Sequence, residues 1–282
     1  MNSKIIFITG CSTGIGFEAS QALSKRGHRV IASCRKSEDM KRLIQLGIEV
    51  VLMDLNVSES IQSGFEELMA KTDGRLDVLI NNAGYGQAGA LEDLSRDVLR
   101  QQFETNVFGL MELTRLAIPI MRAQGKGRII NLSSILGIIS LPFRGAYNAS
   151  KYAVEGITDT LRLELNSSGI KVICIEPGPI TSQFRDTSVL RAEEEINMQE
   201  SHYEAQYQRM LGDYRTQKKE SVFTKSPEAV VNKLIQAIES KKPKAKYPVT
   251  FPAYLFIALK RILTVKMMDR VLRAVSKKEL GA

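Results

Sequence analysis

The sequence predicts an α/β fold in which a single doubly wound parallel sheet carries helices on both faces. Short apolar runs rich in β-branched residues alternate with helical stretches from the N-terminus to residue 176. Strands this uniformly apolar are buried on both faces, as is typical of parallel sheets. Right-handed crossovers between them give a Rossmann-type arrangement, in which ligands bind at the carboxyl ends of the strands.

The predicted elements follow one another in a regular order. Strands are predicted over 5–9, 29–33, 49–53, 78–81, 128–132 and 171–176. Helices are predicted over 15–26, 36–46, 58–70, 97–124 and 149–167. A later helix runs from Pro227 to about residue 238, and 247–250 is the last strand. Without an internal repeat or a Gly/Ser linker, residues 1–250 are expected to form one catalytic domain.

Composition narrows the function classes. Of 282 residues, 44% are hydrophobic and 25% charged, which is ordinary for a globular protein. The three cysteines form no CxxC pair, and His28 and His202 lie far apart and are expected at the surface. No metal site or disulfide framework is therefore expected. The apolar run 5–8 is too short for a secretory signal, so a cytoplasmic location is expected.

The positive charge is concentrated at the carboxyl end. Residues 241–282 contain eleven Lys or Arg and two Asp or Glu, a net charge of +9, whereas residues 1–240 carry −1. A body this close to neutral is not expected to bind nucleic acid. The basic segment can still meet an anionic surface.

A glycine-rich turn follows the first predicted strand. Its glycines have the spacing GxxxGxG, which differs from the GxGxxG of the best-known dinucleotide fingerprint. Glycine permits a tight turn and a close phosphate, and the helix N-terminus that follows supplies free N–H groups. The alternative is plain turn formation. The residues expected to contact a pyrophosphate here are Gly10, Ser12, Thr13, Gly14, Ile15 and Gly16.

The end of the second strand predicts which dinucleotide binds. A carboxylate there would bind ribose hydroxyls and favour NAD, but the sequence has Arg35 and Lys36 instead. Two adjacent cations can pair with the 2′-phosphate of NADP, and Arg35 can also stack on adenine. We therefore expect NADP(H), with NAD as the alternative if these cations are only a solvated turn.

Turns after the third and fourth strands complete the predicted cleft. Asp54 and Leu55 follow the third strand, and the motif NNAG follows the fourth. Paired asparagines beside small residues suit a tight turn whose side chains bond neighbouring backbone. Asn81 is expected both to hold the sheet edge and to shape the cofactor cleft, together with Ala83 and Gly84.

Tyr147 and Lys151 form the predicted catalytic pair. They are four residues apart near the start of a predicted helix, which places them on one face. A nearby ammonium favours the phenolate and lowers a tyrosine pKa that is otherwise about 10. Such a tyrosine can serve as the general acid in reduction and the general base in oxidation. A hydroxyl of the Ser133–Ser134 pair can hold the substrate oxygen.

Together these motifs resemble those of the short-chain dehydrogenase/reductase family over about residues 3–250. In chain order, the matches are TGxxxGxG at 9–16, NNAG at 81–84, Asn106, the serine pair 133–134, YxxxK at 147–151 and PGPIT at 177–181. Length and motif style are similar to the branch that contains steroid and retinol dehydrogenases and bacterial aldehyde or ketone reductases.

The resemblance implies a role for each matching residue. The family's active serine lies thirteen residues before its tyrosine, which selects Ser134. Asn106 would support a water that links the lysine to solvent. All four catalytic positions are present, which implies a working enzyme, and the family's dimers and tetramers imply a homo-oligomer. The residues implied to bind the nicotinamide and its ribose are Tyr147, Lys151, Pro177, Gly178, Ile180 and Thr181.

Residues 183–225 fall where the family has its substrate lid. This segment can line an apolar pocket or pack as ordinary helix core, and both alternatives stay open. By analogy, a lipophilic aldehyde, ketone, retinoid-like or steroid-like substrate is expected. The spaced apolar and aromatic residues of the segment are Met198, Tyr203, Tyr207, Met210, Leu211 and Tyr214.

Residues 251–282 are expected to form a basic amphipathic extension rather than a second domain. They are too short and too charged to span a bilayer, which needs about 20 apolar residues. The helix either packs on the body or on a second subunit, or it lies on a membrane surface. Its apolar residues at helical spacing are Leu255, Phe256, Leu259, Ile262 and Leu263.

Several functions compete at this stage. The leading one is an NADP(H)-dependent oxidoreductase that moves a hydride between the nicotinamide and a carbonyl or alcohol. The alternatives are an NAD-linked alcohol dehydrogenase of the same family, a non-catalytic NADPH-binding sensor, and a membrane-associated protein of lipid metabolism. The intact catalytic residues argue against the sensor.

Overall fold

The computed structural model describes residues 3–215 and 222–280. Its strands pair in parallel throughout, in the order β3-β2-β1-β4-β5-β6-β7. The chain winds outward from β1 to β3 and then returns to β4, so a crevice opens at the carboxyl ends of β1 and β4. The strands are β1 Ile5–Ile8, β2 Arg29–Cys34, β3 Glu49–Leu52, β4 Val78–Asn81, β5 Gly127–Leu132, β6 Ile170–Glu176 and β7 Lys246–Pro248.

Helices cover both faces of this sheet. The last two, α10 and α11, follow β7 and form the carboxyl-terminal extension. In chain order the helices are α1 Gly14–Lys25, α2 Ser37–Gln45, α3 Ser58–Lys71, α4 Arg96–Phe103, α5 Gly109–Ala123, α6 Gly145–Glu164, α7 Phe184–Glu195, α8 Glu204–Arg215, α9 Glu228–Glu239, α10 Phe251–Ile262 and α11 Val265–Leu280.

Strand β1 shows why helices are needed on both faces. Ile6, Phe7 and Ile8 are all fully buried. Ile6 and Ile8 point into a core shared with α1 and α9, whereas Phe7 points into a core shared with α3 and α5. Successive side chains of a strand point to opposite faces, so a strand that is apolar throughout needs two cores. The predicted doubly wound parallel sheet with helices on both faces is confirmed.

The helix predicted over 97–124 is divided by an irregular turn. Between α4 and α5 the chain forms a π-helical turn, Glu104–Phe108. Apolar periodicity does not reveal such a turn, because the helical segments on either side of it keep their usual spacing. π-Turns occur frequently at functional sites, and this one contains the predicted site residue Asn106.

Helix α6 begins at Gly145, earlier than the predicted residue 149. Its N-cap residue, Arg144, makes no side-chain capping bond, so the usual sequence indicator of a helix start is missing. Tyr147 therefore lies within the first turn of α6. Lys151 follows one turn later on the same face.

Only one of the two histidines is at the surface. His202 is exposed, but His28 is buried. Nδ1 of His28 accepts a hydrogen bond from the backbone N–H of Lys4 at 3.3 Å, and its Nε2 lies 3.5 Å from the Glu239 carboxylate of α9. The surface prediction is wrong for His28, because a helix distant in sequence packs over the start of β2.

The predicted lid region contains α7 and α8. Residues 216–221 and the side chain of Tyr214 lie outside the described residues. Within 3–215 and 222–280, no helix combines the length and the apolar character needed to cross a bilayer.

We predict opposite effects on stability when a methyl group is added to two helical glycines. In Gly109→Ala the new Cβ would lie 2.1 Å from the carbonyl oxygen of Leu55, so α5 must shift away from the loop after β3. The free energy of unfolding should fall by about 1–3 kcal/mol. In the control Gly156→Ala, no atom lies within 4 Å, and stability should rise by about 0.5–1 kcal/mol.

Urea denaturation of both variants measures these changes. A Gly109→Ala protein that unfolds at the same urea concentration as the unmodified protein would contradict the close approach of α5 to Leu55.

Candidate active site

The turn after β1 has glycine where larger residues do not fit. Gly10 and Gly14 have φ of +69° and +59°, the left-handed region, and a Cβ on Gly10 would lie 2.7 Å from Cα of Ala83. Thr13, the N-cap of α1, makes no side-chain capping bond, and the first turn of α1 has no acidic residue. The first N–H groups of α1 are therefore not capped by Thr13 and can bind an anion.

The third glycine of the motif has a packing role. A Cβ on Gly16 would lie 2.3 Å from the carbonyl oxygen of Gly10 and 2.5 Å from Nδ2 of Asn82. Gly16 thus lets α1 pack directly on the turn, behind the wall of the cleft. Its predicted contact with a dinucleotide stays a prediction.

The two asparagines after β4 have different roles. Asn81 is buried, and its Nδ2 donates to Oγ1 of Thr114 at 2.9 Å and to Oδ1 of Asn131 at 2.8 Å. Asn82 lines the cleft, and its Nδ2 donates to the carbonyl oxygens of Thr9 and Gly10 at 2.8 and 3.0 Å. Asn81 therefore holds the sheet together, as predicted for its first role, but the cleft is shaped by Asn82.

These turns open into one cleft of about 1100 Å³ at the carboxyl ends of the strands. Most of the predicted site residues line it. Four of them, Gly16, Asn81, Asn106 and Thr181, lie outside its lining. The predicted residues that do line it are Gly10, Ser12, Thr13, Gly14, Ile15, Arg35, Lys36, Asp54, Leu55, Ala83, Gly84, Ser134, Tyr147, Lys151, Pro177, Gly178 and Ile180.

The residues after β2 form one end of the cleft. Arg35 and Lys36 line it, and so do the carboxylates Glu38 and Asp39 in the first turn of α2. The guanidinium of Arg42 donates to the carbonyl oxygen of Ser12. This end therefore has cations beside the glycine turn, with carboxylates close by.

Tyr147 lies further along the same cleft and is buried. Burial raises the pKa of its phenol to about 12, although a hydrogen bond with Ser134 acts in the opposite direction. The ammonium of Lys151 lies 5.7 Å from the ring centroid, and its expected lowering of the tyrosine pKa stays a prediction. The phenol therefore keeps its proton at neutral pH and is available as a proton donor.

Lys151 is fixed between α6 and the sheet. Its Nζ donates to the carbonyl oxygen of Leu132, the last residue of β5, at 2.7 Å. Burial lowers the pKa of the ammonium to about 8, while Cys174 and Glu155 act in the opposite direction. The cation is thus held beside the phenol in an environment that makes it easy to deprotonate.

The two serines after β5 differ in their partners. Ser134 caps the short helical turn Ile135–Gly137, where its Oγ accepts from the N–H of Leu136 at 3.1 Å, and its hydroxyl acts to lower the pKa of the neighbouring Tyr147. Oγ of Ser133 is buried without a hydrogen-bond partner in the described part of the chain. The structure therefore places Ser134, the serine selected by the resemblance, beside Tyr147.

Asn106 lies behind the cleft wall and is fully buried. Its Oδ1 accepts from the N–H of Tyr85 at 3.1 Å, and its Nδ2 donates to the carbonyl oxygen of Tyr85 and to Oγ of Ser150, both at 3.0 Å. The side chain thus joins the loop after β4 to α6, one residue before Lys151. Its expected support of a water stays a prediction.

Three of the apolar and aromatic residues singled out in the predicted lid segment, Met198, Tyr207 and Leu211, are buried and do not line the cleft. Met198, Tyr207 and Leu211 belong to a buried cluster with Phe143, and Oη of Tyr207 donates to the Asp93 carboxylate at 2.7 Å. Of the two alternatives left open for these residues, the structure shows ordinary core packing.

The first residues of α7 reach the active site instead. Phe184 lies edge-on against the ring of Tyr147, with 5.1 Å between the centroids. Gln183, Phe184 and Thr187 line the cleft, and Arg191 lies 5.4 Å over the ring of Tyr85. Thr181 donates its N–H to the carbonyl oxygen of Lys225 and stays outside the cleft. Phe184 was not among the predicted site residues; it lies three residues after the end of the PGPIT motif at Thr181.

A buried charge cluster behind Lys151 was not predicted. Glu155 of α6 accepts from the ammonium of Lys246 at 2.6 Å and from the thiol of Cys174 at 3.1 Å. Glu176 lies beside them, and burial followed by the charge of Glu155 raises the pKa of Glu176 to about 7. These acidic and thiol groups could together hold a metal ion, but the cation that they meet is Lys246.

Comparisons with known proteins agree with this geometry. The sequence model of the short chain dehydrogenase family matches residues 4–193. The oxidoreductase YbbO of Escherichia coli (strain K12) is 42% identical over 270 residues, covering 96% of this chain and 94% of that protein. The 3-ketodihydrosphingosine reductase of Bacteroides thetaiotaomicron is 40% identical over 187 residues, covering 66% of this chain and 67% of that protein.

A solved structure extends the likeness to the whole fold. A short-chain dehydrogenase from Streptomyces avermitilis superposes with a TM-score of 0.76 at 27% identity, over 99% of this chain and 97% of that chain. The resemblance stated from the motifs is therefore confirmed. The chain belongs to the short-chain dehydrogenase family and is an oxidoreductase that acts on CH–OH groups with a nicotinamide cofactor.

Proposed function

We propose that the protein is an NADP(H)-dependent reductase of lipophilic aldehydes or ketones, with Tyr147 as the proton donor. One observation carries this proposal. A buried phenol with a raised pKa lies in the same cleft as Ser134 and the N-terminus of α1, whose N-cap residue makes no side-chain capping bond. The cleft therefore offers an anion site and a proton donor to one extended ligand.

The residues present fit a dinucleotide. The α1 N-terminus suits its pyrophosphate, and the left-handed Gly14 has only Cβ of Ser182 near the place of its missing side chain, at 3.6 Å. Arg35 and Lys36 suit a 2′-phosphate, which supports NADP over NAD. When bound, the nicotinamide supplies or accepts the hydride.

Protein groups then handle the oxygen of the substrate. As the carbonyl carbon gains the hydride, negative charge develops on its oxygen, and Ser134 can donate a hydrogen bond to it. Tyr147 transfers its phenolic proton to that oxygen, which completes the alcohol. The phenolate that remains is stabilised by the nearby ammonium of Lys151. Oxidation of an alcohol uses the same groups in reverse.

The walls around Tyr147 support a lipophilic substrate. Phe184, Leu136 and Leu141 line this part of the cleft together with Tyr85. An apolar wall with few polar groups binds an apolar substrate and excludes water. The relative named as a 3-ketodihydrosphingosine reductase supports a ketone as the group reduced.

An NAD-linked alcohol dehydrogenase is the second candidate. The observation that favours it is the pair of carboxylates Glu38 and Asp39 at the end of the cleft that also holds Arg35. A carboxylate there can bind ribose hydroxyls, as it does in NAD-binding folds. Whether NADP or NAD binds more tightly depends on the balance between the cations Arg35 and Lys36 and these two carboxylates.

Replacing the proton donor tests the chemistry. We expect Tyr147→Phe to lower kcat for aldehyde reduction by about 10²–10⁴-fold, because the substrate oxygen loses its general acid. The dissociation constant for NADPH should rise by less than about tenfold, since at most one hydrogen bond to the ribose is lost and the phosphates are bound by other residues. Loss of NADPH absorbance and fluorescence titration measure the two quantities.

The matched control is Tyr203→Phe. Its ring packs against Phe143, away from the cleft. This variant should keep full turnover. Retention of turnover in Tyr147→Phe with any accepted substrate would contradict the proposed role of the phenol.

Removing the two cations after β2 tests the cofactor preference. In the double variant Arg35→Ser and Lys36→Ser, the dissociation constant for NADPH should rise by roughly 10–100-fold, because charge-assisted bonds to the 2′-phosphate are lost. The constant for NADH should change little. Fluorescence titration at one salt concentration measures both.

The control for this pair is Lys25→Ser, at the exposed end of α1, far from the cleft lining. Equal weakening of NADPH and NADH by the double variant, or no weakening, would remove the phosphate site and favour the NAD-linked alternative.

A further inference from the structure

Helix α10 is apolar around most of its circumference. One face, which includes Ala253, Phe256 and Ile257, packs on Ile138 and Ile139 in the segment after Ser134. A helix that is apolar on all sides is usually buried on all sides. The opposite face of α10 is nevertheless exposed.

The exposed face forms a continuous stripe. Phe251, Leu255, Ala258 and Ile262 are all exposed and recur at positions i, i+4, i+7 and i+11, which lie on one side of a helix. Phe251 is 61% exposed and Ile262 79%. We call these four residues with the neighbouring Tyr254, which is 52% exposed, the apolar stripe. A contiguous apolar surface of this kind marks an interaction site.

Exposed apolar residues are also present at the start of α11, next to a group of basic side chains. Val265 and Met267, at the start of α11, are 78% and 47% exposed. Around and beyond them the exposed side chains of α10 and α11 are mostly basic, and no ion pair joins them to another side chain in the described ranges. These cations are Arg261, Lys266, Arg270, Arg273 and Lys277.

The apolar stripe and the neighbouring cations together indicate what binds to this surface. An apolar stripe bordered by cations complements the surface of an anionic membrane, where apolar side chains enter the acyl boundary and cations meet the headgroups. A second copy of the chain fits less well, because a symmetric interface would bring the same basic patches together. Residues 241–282 carry a net charge of +9, so this repulsion would be large.

We propose that the apolar stripe of α10 and the cations of α10 and α11 bind this protein to the surface of anionic lipid membranes. Helix α10 lies along the surface, with its other face still packed on the segment after Ser134. The membrane therefore lies beside the helix that covers this part of the active site. The binding does not depend on which substrate or cofactor the enzyme uses.

Co-sedimentation of the full-length protein with lipid vesicles tests the proposal. The probes are vesicles of phosphatidylcholine alone and of phosphatidylcholine mixed with phosphatidylglycerol. We expect binding to the anionic vesicles that weakens as salt is added, because exposed charges are screened. Binding to neutral vesicles should be much weaker.

Two matched variants separate the stripe from general hydrophobicity. Phe251→Ser combined with Ile262→Ser should weaken binding by roughly 100-fold, since two large apolar side chains no longer enter the lipid. The control Leu163→Ser removes an equally exposed leucine on α6, 74% exposed, and should bind as the unmodified protein does. Thermal unfolding confirms that both variants fold, and turnover of a water-soluble aldehyde should be unchanged in both.

Three outcomes would overturn the proposal. One is the absence of co-sedimentation with anionic vesicles. Another is equal binding by the stripe variant and the Leu163 control. The third is a protein that does not bind vesicles but changes from dimer to monomer in gel filtration when the stripe is altered, which would assign the stripe to a second copy. None of these outcomes bears on the reductase proposal, since turnover is measured separately.

Discussion

The rest of the active site depends on where one buried ammonium, that of Lys151, is held. Its hydrogen bond to the carbonyl oxygen of Leu132 fixes α6 to the end of β5, and its place over the ring of Tyr147 sets a cation beside the reacting phenol. A Cβ on Gly84 would lie 3.7 Å from this Nζ, so the turn after β4 packs close to the ammonium of Lys151. Burying a charge is unfavourable unless other groups compensate it. Burial accordingly lowers the pKa of Lys151 to about 8.

The groups that compensate the buried charge of Lys151 lie behind the active site. Glu155, one turn after Lys151 on α6, and Cys174 of β6 both favour the charged form of this ammonium. Glu155 is itself held by Lys246 of β7. The last strand of the sheet thus contributes to the charge state of a catalytic residue that it does not touch. Buried networks of this kind hold a side chain in one arrangement when most of their members are paired.

The sequence predicts the role of a site residue when that role depends on residues close to it in the chain, and not when it depends on distant parts of the chain. The glycine turn and the Tyr147–Lys151 pair each lie within one element, so spacing alone places them. Asn81 and Asn82 are neighbours in sequence, yet one enters the core and the other the cleft, because Asn81 is the last residue of β4 and Asn82 begins the turn that follows it. The place of Tyr207 depends on how α8 packs against distant helices, which spacing does not show. The pair of Glu155 and Lys246 joins residues 91 positions apart, and nothing local points to it.

The central claim, that the charge of Lys151 supports proton donation by Tyr147, is tested most directly by the pH dependence of kcat/KM for carbonyl reduction. A lysine with a lowered pKa is charged below that value and loses its charge as pH rises through it, here at about 8. Tyr147, with its pKa raised to about 12, keeps its proton over this range. The account predicts a constant kcat/KM below about pH 7 and a fall of up to about tenfold per pH unit above about pH 8. A profile that stays level to about pH 10 would contradict it.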